Sequence, residues 1–357
     1  MTGDSVVWAV LACGVIVLAA EPPLIALLRR RRVLDIPVER SSHTVPTPRG
    51  GGAPVAVGLL AAAAVAIAAG VVVWGLALAL AVGFFGLLGL AEDLRGLSAV
   101  SRLVLQAAGG AWVAALVACR LPLAPPALAA VALAVAIWLV GFVNAFNFMD
   151  GVNGISGAHA LIGGVAYACL AGWRRDEFGV AAGLALAVGA TAFLPWNVGR
   201  ARVFLGDVGS YSIGAALALL AVRLISLGVP VEVVAAPVAL YLADVAWTLQ
   251  GRIRRGERWL EPHRTHVYQR WCDAGWSHAE VALLTSALTV LLCLLAVAGM
   301  RGGSAVRVTA DTAGSAALAL YLGSPALFAR AGLDRRSELV RSAGSGGADA
   351  IAELEKA

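Results

Sequence analysis

The chain has 357 residues, of which 60% are hydrophobic and 14% charged, with a net charge of +5 and a mean hydropathy of +0.84. A soluble domain carries about a quarter of its residues as charges, so lipid must cover part of this surface. A soluble globular fold is excluded, no nucleic-acid partner is expected, and the composition fits an all-α integral membrane protein.

Eleven apolar segments near the length of ~20 residues that spans a bilayer follow one another. They run over 5–28, 51–69, 71–90, 103–119, 127–146, 155–172, 178–195, 210–227, 230–249, 279–299 and 313–329. The expected architecture is a bundle of ten to eleven transmembrane helices spanning 1–339, followed by a flexible tail over 340–357. The first segment has no basic leader, and Glu21-Pro22-Pro23 is a poor cleavage site, so it reads as a retained helix. The ninth segment carries Glu232 and Asp244, so it is expected to line a polar cavity or to be broken. The five cysteines are scattered, mostly inside apolar runs, and suit packing better than disulfides or metal knuckles.

Connections after odd-numbered segments, with the tail, hold 21 of the Lys and Arg residues, and even-numbered connections hold 5; Arg223 lies inside a segment. The positive-inside rule then puts the odd connections and the C-terminus in the cytoplasm and the N-terminus outside. A multi-pass protein of the plasma (inner) membrane is expected.

Five polar clusters interrupt the apolar background: Asp35 to Gly52, Glu92 to Ser98, Asn144 to Gly154, Phe204 to Ser210 and Glu261 to Arg270. All follow odd-numbered segments, which points to one cytoplasmic active-site cleft. Loop acids and arginines are usually only solvated, and Arg29 to Arg32 and Arg252 to Arg258 read as topology anchors. The other clusters place acids at the membrane boundary, where an ionisable group costs several kcal/mol unless paired or hydrated.

Glu92 and Asp93 are adjacent carboxylates, and Asp207 sits between glycines. Asn144, Asn147 and Asp150 share a face if the fifth helix continues through them. Oxygen ligands without sulfur suit Mg²⁺, with Mn²⁺ as the substitute, and Mg²⁺ takes one or two protein oxygens and leaves the rest to water and phosphates. His263 and His266 flank Arg264, as a diphosphate requires, and no third nitrogen or thiolate stands nearby for zinc. Gly50 to Gly52 either cradles an anion or simply starts the second helix. His159 and His278 read as lone packing histidines.

In order and spacing, the motifs RSSHTVPTPRGGG, EDLRGLS, NAFNFMDGVNG, FLGDVGS and HRTHVYQR resemble the polyprenyl-phosphate N-acetylhexosamine-1-phosphate transferases, over roughly Asp35 to Arg270. That family includes the enzymes that start O-antigen, teichoic acid and N-glycan assembly, and the lipid I synthase of peptidoglycan. The resemblance implies transfer of HexNAc-1-phosphate from UDP-N-acetylhexosamine to undecaprenyl or another polyprenyl phosphate, with UMP released. It implies Mg²⁺ on Asp207 and Asn147, and Asp93 with Glu92 acting on the lipid phosphate. Asp150 and Asn153 are then near the metal and nucleotide, with Asn144 beside them. His263, Arg264 and His266 grip the donor diphosphate and sugar, and Arg40, His43 and Arg49 lie near the acceptor phosphate. Membrane lipids and a second copy in a homodimer complete the expected partners.

Two positions depart from the usual motif. Glu92 stands where an aspartate is usual, moving that carboxylate by about 1.5 Å, which favours Asp93 as the working acid. Asn153 replaces a second acid, as in the eukaryotic relatives. PHRTHVYQR also lacks the triple-histidine run of lipid I synthase, which points to the surface-polysaccharide priming branch. A lipid-linked substrate transporter or flippase and a catalytically dead scaffold are the competing functions. A transporter would show an internal inverted repeat, and none is evident.

Overall fold

The computed structural model describes residues 1–37, 45–119, 123–258 and 263–331. Its first helix, α1 (Gly3–Arg31), starts where the Thr2 hydroxyl and Ser5 cap each other and ends in Arg29, Arg30 and Arg31, cations suited to a helix C-terminus. A two-residue antiparallel ribbon follows, pairing β1 (Leu34–Asp35) with β2 (Thr47–Pro48). The bundle continues with α2 (Ala53–Ala68), α3 (Val72–Arg95), α4 (Ala99–Ala118), α5 (Pro125–Phe148), α6 (Ile155–Trp173), α7 (Glu177–Asn197) and α8 (Gly206–Ser226). Then come α9 (Val231–Ala235), a 3₁₀ turn (Ala236–Val238), α10 (Ala239–Arg254), α11 (Val267–Asp273), α12 (His278–Arg301) and α13 (Ser304–Ala331).

Each of the eleven expected segments falls on a helix. The ninth is broken, as its composition suggested: Pro237 lacks the N–H needed to continue α9, and a 3₁₀ turn joins it to α10. Among the described residues nine helices, counting α9–α10 as one, are long and apolar enough to cross a membrane. The exceptions are α2, at 16 residues, and α13, whose start brings Arg307 and Asp311 into the helix. The chain is an all-α integral membrane protein. The expected tail over 340–357 lies outside the described residues.

The innermost helix is α8, which packs between α3 and α5 and is buried along almost its whole length. Two glycines let backbones close on its first turns. A Cβ on Gly89 of α3 would lie 2.1 Å from the Asp207 carbonyl oxygen, and one on Gly52 would lie 2.2 Å from the Gly209 Cα. Any side chain at either position would push α8 outward. The ribbon completes the arrangement: Arg49 bridges Phe204, Phe204 N–H donates to Pro48 O (2.8 Å), and Gly51 N–H donates to Phe204 O (2.8 Å). Residues 47–52 are thereby stitched to the start of α8.

One expectation fails here. The fifth helix does not run through all three members of its polar stripe; α5 ends at Phe148, capped at Met149. Asn144 and Asn147 keep helical spacing, whereas Asp150 leaves on the following turn.

Candidate active site

The start of α8 gathers the charged groups. Arg49 bridges two acids, with Nε 2.6 Å from Asp93 Oδ1 and Nη2 2.9 Å from Asp207 Oδ2. Asp93, from the end of α3, accepts the Asp207 N–H on Oδ1 and the Val208 N–H on Oδ2, each at 2.9 Å. A helix leaves its first amides unpaired and carries partial positive charge there, so the carboxylate satisfies both needs from a neighbouring helix. Its side chain is only 1% exposed, and both oxygens are engaged. Asn147 Nδ2 donates to Asp207 Oδ1 (2.8 Å) and Ser210 Oγ (3.0 Å). The Asn147 oxygen has no described protein donor, so a half-turn of the amide would aim it beside Asp207.

Asp150 completes the set electrostatically. Burial raises its carboxyl to about 8, Asp207 and Asp93 push the same way, and Arg49 opposes them. Two carboxylates, Asp93 and Asp207, therefore face one guanidinium, with the protonated Asp150 carboxyl beside them. Among the described residues no three His, Cys, Asp or Glu side chains form a complete metal cage. An all-oxygen donor set with surplus negative charge still fits a hard divalent cation that keeps most of its positions for water and phosphate. Asp207 and Asn147 are the residues that would hold it.

Several expected site residues are used elsewhere. Glu92 is not paired with Asp93: it accepts from Leu97 N–H (2.6 Å) and Arg102 Nη1 (3.1 Å), pinning the α3–α4 connection. Successive helical residues project about 100° apart, so the two acids serve different neighbours. Asn144 donates to Gln106 Oε1 (2.6 Å) and Val140 O (2.8 Å), tying α5 to α4. Asn153 Nδ2 donates to Gly199 O (2.8 Å), and its backbone N–H reaches His278 Nδ1 (3.4 Å). Arg264 pairs with Asp273 (3.1 Å) on α11. Arg40 and His43 lie outside the described residues.

The histidine loop sits against the end of α5. Tyr268 donates its hydroxyl to Phe148 O (2.9 Å), and the His266 and Phe148 rings are 6.2 Å apart. His263 lies 4.9 Å from His266 between ring centroids and shares a 3.0 Å hydrogen bond with Thr265. Burial, then the neighbouring His266 and Arg252, lower His263 to about 4, so it is a neutral imidazole at pH 7.

Sequence reasoning missed Arg102, Gln106 and Ser210 as partners, and treated His278 as packing only. It flagged Asp244 merely as an acid in an apolar segment. That acid is fully buried and holds the His266 ring at 3.0 Å. Its depth in the bundle was the available signal; its partner, 22 residues further on, was not locally visible.

Residues 73–225, from the start of α3 through nearly all of α8, match the family model described as Glycosyl transferase family 4. The match contains Asp93, Asn147, Asp150 and Asp207, whereas Arg49 and the histidine loop fall outside it. The decaprenyl-phosphate N-acetylglucosaminephosphotransferase of Mycobacterium tuberculosis is 29% identical over 77% of this chain and 77% of its own length. That of Mycobacterium leprae is 29% identical over 72% and 74%. The phospho-N-acetylmuramoyl-pentapeptide-transferase of Latilactobacillus sakei is 40% identical over 91 residues, 25% of this chain and 28% of that one. Residues 73–225 thus resemble glycosyl transferase family 4, and the chain is a multi-pass membrane enzyme, a phospho-sugar transferase.

Proposed function

We propose that this enzyme transfers HexNAc-1-phosphate from UDP-HexNAc to a polyprenyl phosphate, releasing UMP and starting a cell-surface glycan. The observation that carries the reading is the Arg49–Asp93–Asp207–Asn147 cluster at the start of α8, with Asp150 beside it. N-acetylglucosamine is the favoured sugar, because the relatives matched over most of their length carry that name. The relative named for a muramoyl-pentapeptide donor matches over 25% of this chain.

In this reading an oxygen of the lipid phosphate attacks the phosphorus that bears the sugar. The bond from that phosphorus to the bridging oxygen breaks, and UMP leaves. Chemistry of this kind is positioning and charge stabilisation. A divalent cation, Mg²⁺ here, would be held by Asp207 and Asn147 and would supply positive charge at the donor diphosphate. Arg49 adds a fixed guanidinium between the two acids. Asp93, with both oxygens occupied, orients Arg49 and the first turn of α8; it does not move a proton. Asp150 bonds neither Arg49 nor the α8 amides, and with its carboxyl raised to about 8 it is protonated at neutral pH and faces the phosphates as a hydrogen-bond donor; the acceptor phosphate, with a second pKa of about 6, attacks already ionised. His263 and His266 face the donor's sugar and diphosphate. The cluster lies on the cytoplasmic face, with the N-terminus outside and the C-terminus inside. Its position at helix ends, away from mid-membrane, disfavours the transporter reading.

The test is UMP release by Asp207→Asn in membranes supplied with UDP-GlcNAc, polyprenyl phosphate and Mg²⁺. Loss of turnover with the protein still accumulated is expected. Near-normal release would sink the assignment.

A further inference from the structure

Asp244 of α10 is fully buried and receives five hydrogen bonds. They come from Thr248 Oγ1 (3.1 Å), Val267 N–H (3.1 Å), Tyr268 N–H (3.4 Å), the Tyr321 hydroxyl (2.6 Å) and His266 Nδ1 (3.0 Å). Three elements therefore meet on one carboxylate: α10, the start of α11 and α13. If cohesion were the only need, apolar side chains of similar volume would hold these helices as well or better. A carboxylate adds direction. It only accepts, so Nδ1 of His266 carries the proton, and Nε2 is the nitrogen left to face a ligand. The two α11 amides clamp the same acid, so the ring cannot swing without unseating the helix. His266 in turn lies against His263 and Phe148, which carries the orientation to the end of α5 beside Asp150.

We propose that Asp244 is the positioning residue of the His263–His266 loop, fixing which nitrogen of His266 meets the donor and at what tilt. The proposal deepens the transferase reading and rests on it for the donor's identity. The experiment uses full-length protein in lipid nanodiscs. Asp244→Asn should lower kcat/KM for UDP-GlcNAc by about 10- to 100-fold, the usual cost of losing the partner that orients a functional histidine. The KM for polyprenyl phosphate should stay unchanged. On a His266→Ala background the same substitution should have no further effect. Without substrate, Asp244→Asn should speed hydrogen exchange across residues 263–270.

Full wild-type donor kinetics in Asp244→Asn, effects that multiply with His266→Ala, or unaltered exchange across 263–270 would each overturn the proposal. Faster exchange in a protein whose wild type turns over no nucleotide sugar would instead sink the transferase reading and leave the seat standing. If Asp244→Asn fails to accumulate, Tyr321→Phe removes one bond from the same carboxylate and goes through the same cycle, with the same non-additivity required.

Discussion

The two ends of the α3–α8 pair, about 30 Å apart along a 21-residue helix, use the same residue types to opposite effect. At the far end, Arg223 grips Asp176 through both nitrogens, Nε to Oδ2 at 3.1 Å and Nη2 to Oδ1 at 2.6 Å. Asp176 also caps α7 by accepting the Gly179 N–H (3.0 Å), and the guanidinium lies 4.7 Å from the Trp74 ring centroid at the start of α3. One cation meets one anion, and every strong acceptor is used. At the near end, Arg49 is divided between Asp93 and Asp207 while Asp150 adds a third carboxyl. Asp93 caps a helix there just as Asp176 does, yet the charge does not balance. A balanced pair fastens helices together; an unbalanced one is a place for a cation and a phosphate substrate.

The sharpest way to break this contrast is to remove each arginine in turn. Arg49→Ala should reduce UMP release about 1000-fold, since it deletes fixed charge at the reacting phosphates. Arg223→Ala should leave kcat within twofold in protein that folds. Its cost should appear in stability, about 3–5 kcal/mol for orphaning a buried acid, read as a lower unfolding temperature. Equal losses of kcat at both ends would show that the two sites are not separable.

A smaller effect sharpens the charge argument. Burial raises the Asp150 carboxyl from the ordinary 3.8 to about 8, so the folded chain holds a proton there that the unfolded chain has released. Folding stability should therefore fall as pH climbs between those two values and level off above about 8. Asp150→Asn should flatten that slope, and saturating Mg²⁺ should flatten it in the wild type. Identical pH profiles of unfolding temperature for wild type and variant, without metal, would contradict the raised Asp150 carboxyl.

The smallest expected change concerns Glu92. Because it holds Leu97 and Arg102 and not Arg49, Glu92→Gln should keep UMP release within threefold and cost about 1 kcal/mol of stability. A loss as large as that of Asp93→Asn would return Glu92 to the catalytic cluster.

How much of this was legible in the sequence depends on whether the deciding interaction is local. The bundle was legible because bilayer length and apolar composition are read one segment at a time; even the break near Pro237 was signalled by acids in an apolar run. Asp207, Asn147 and Asp93 were singled out through the chemistry of their motifs, and the fold brings them together at the start of α8. Glu92 looked equivalent to Asp93, since adjacency in sequence hides the turn between neighbouring side chains on a helix. Whether α5 continued as far as Asp150 was left open, because the end of a helix depends on what packs against it.

By itself, then, the sequence determined that the protein lives in a membrane, that its chain runs repeatedly through apolar surroundings, and which polar residues interrupt them. Only the tertiary structure decided that Asp93 spends both oxygens on the amides of a helix 114 residues away, that one arginine serves two acids, and that Asp244 holds His266. Hydropathy and motif spacing are properties of short stretches, whereas a hydrogen bond or an ion pair needs a direction and a partner that long-range packing alone supplies.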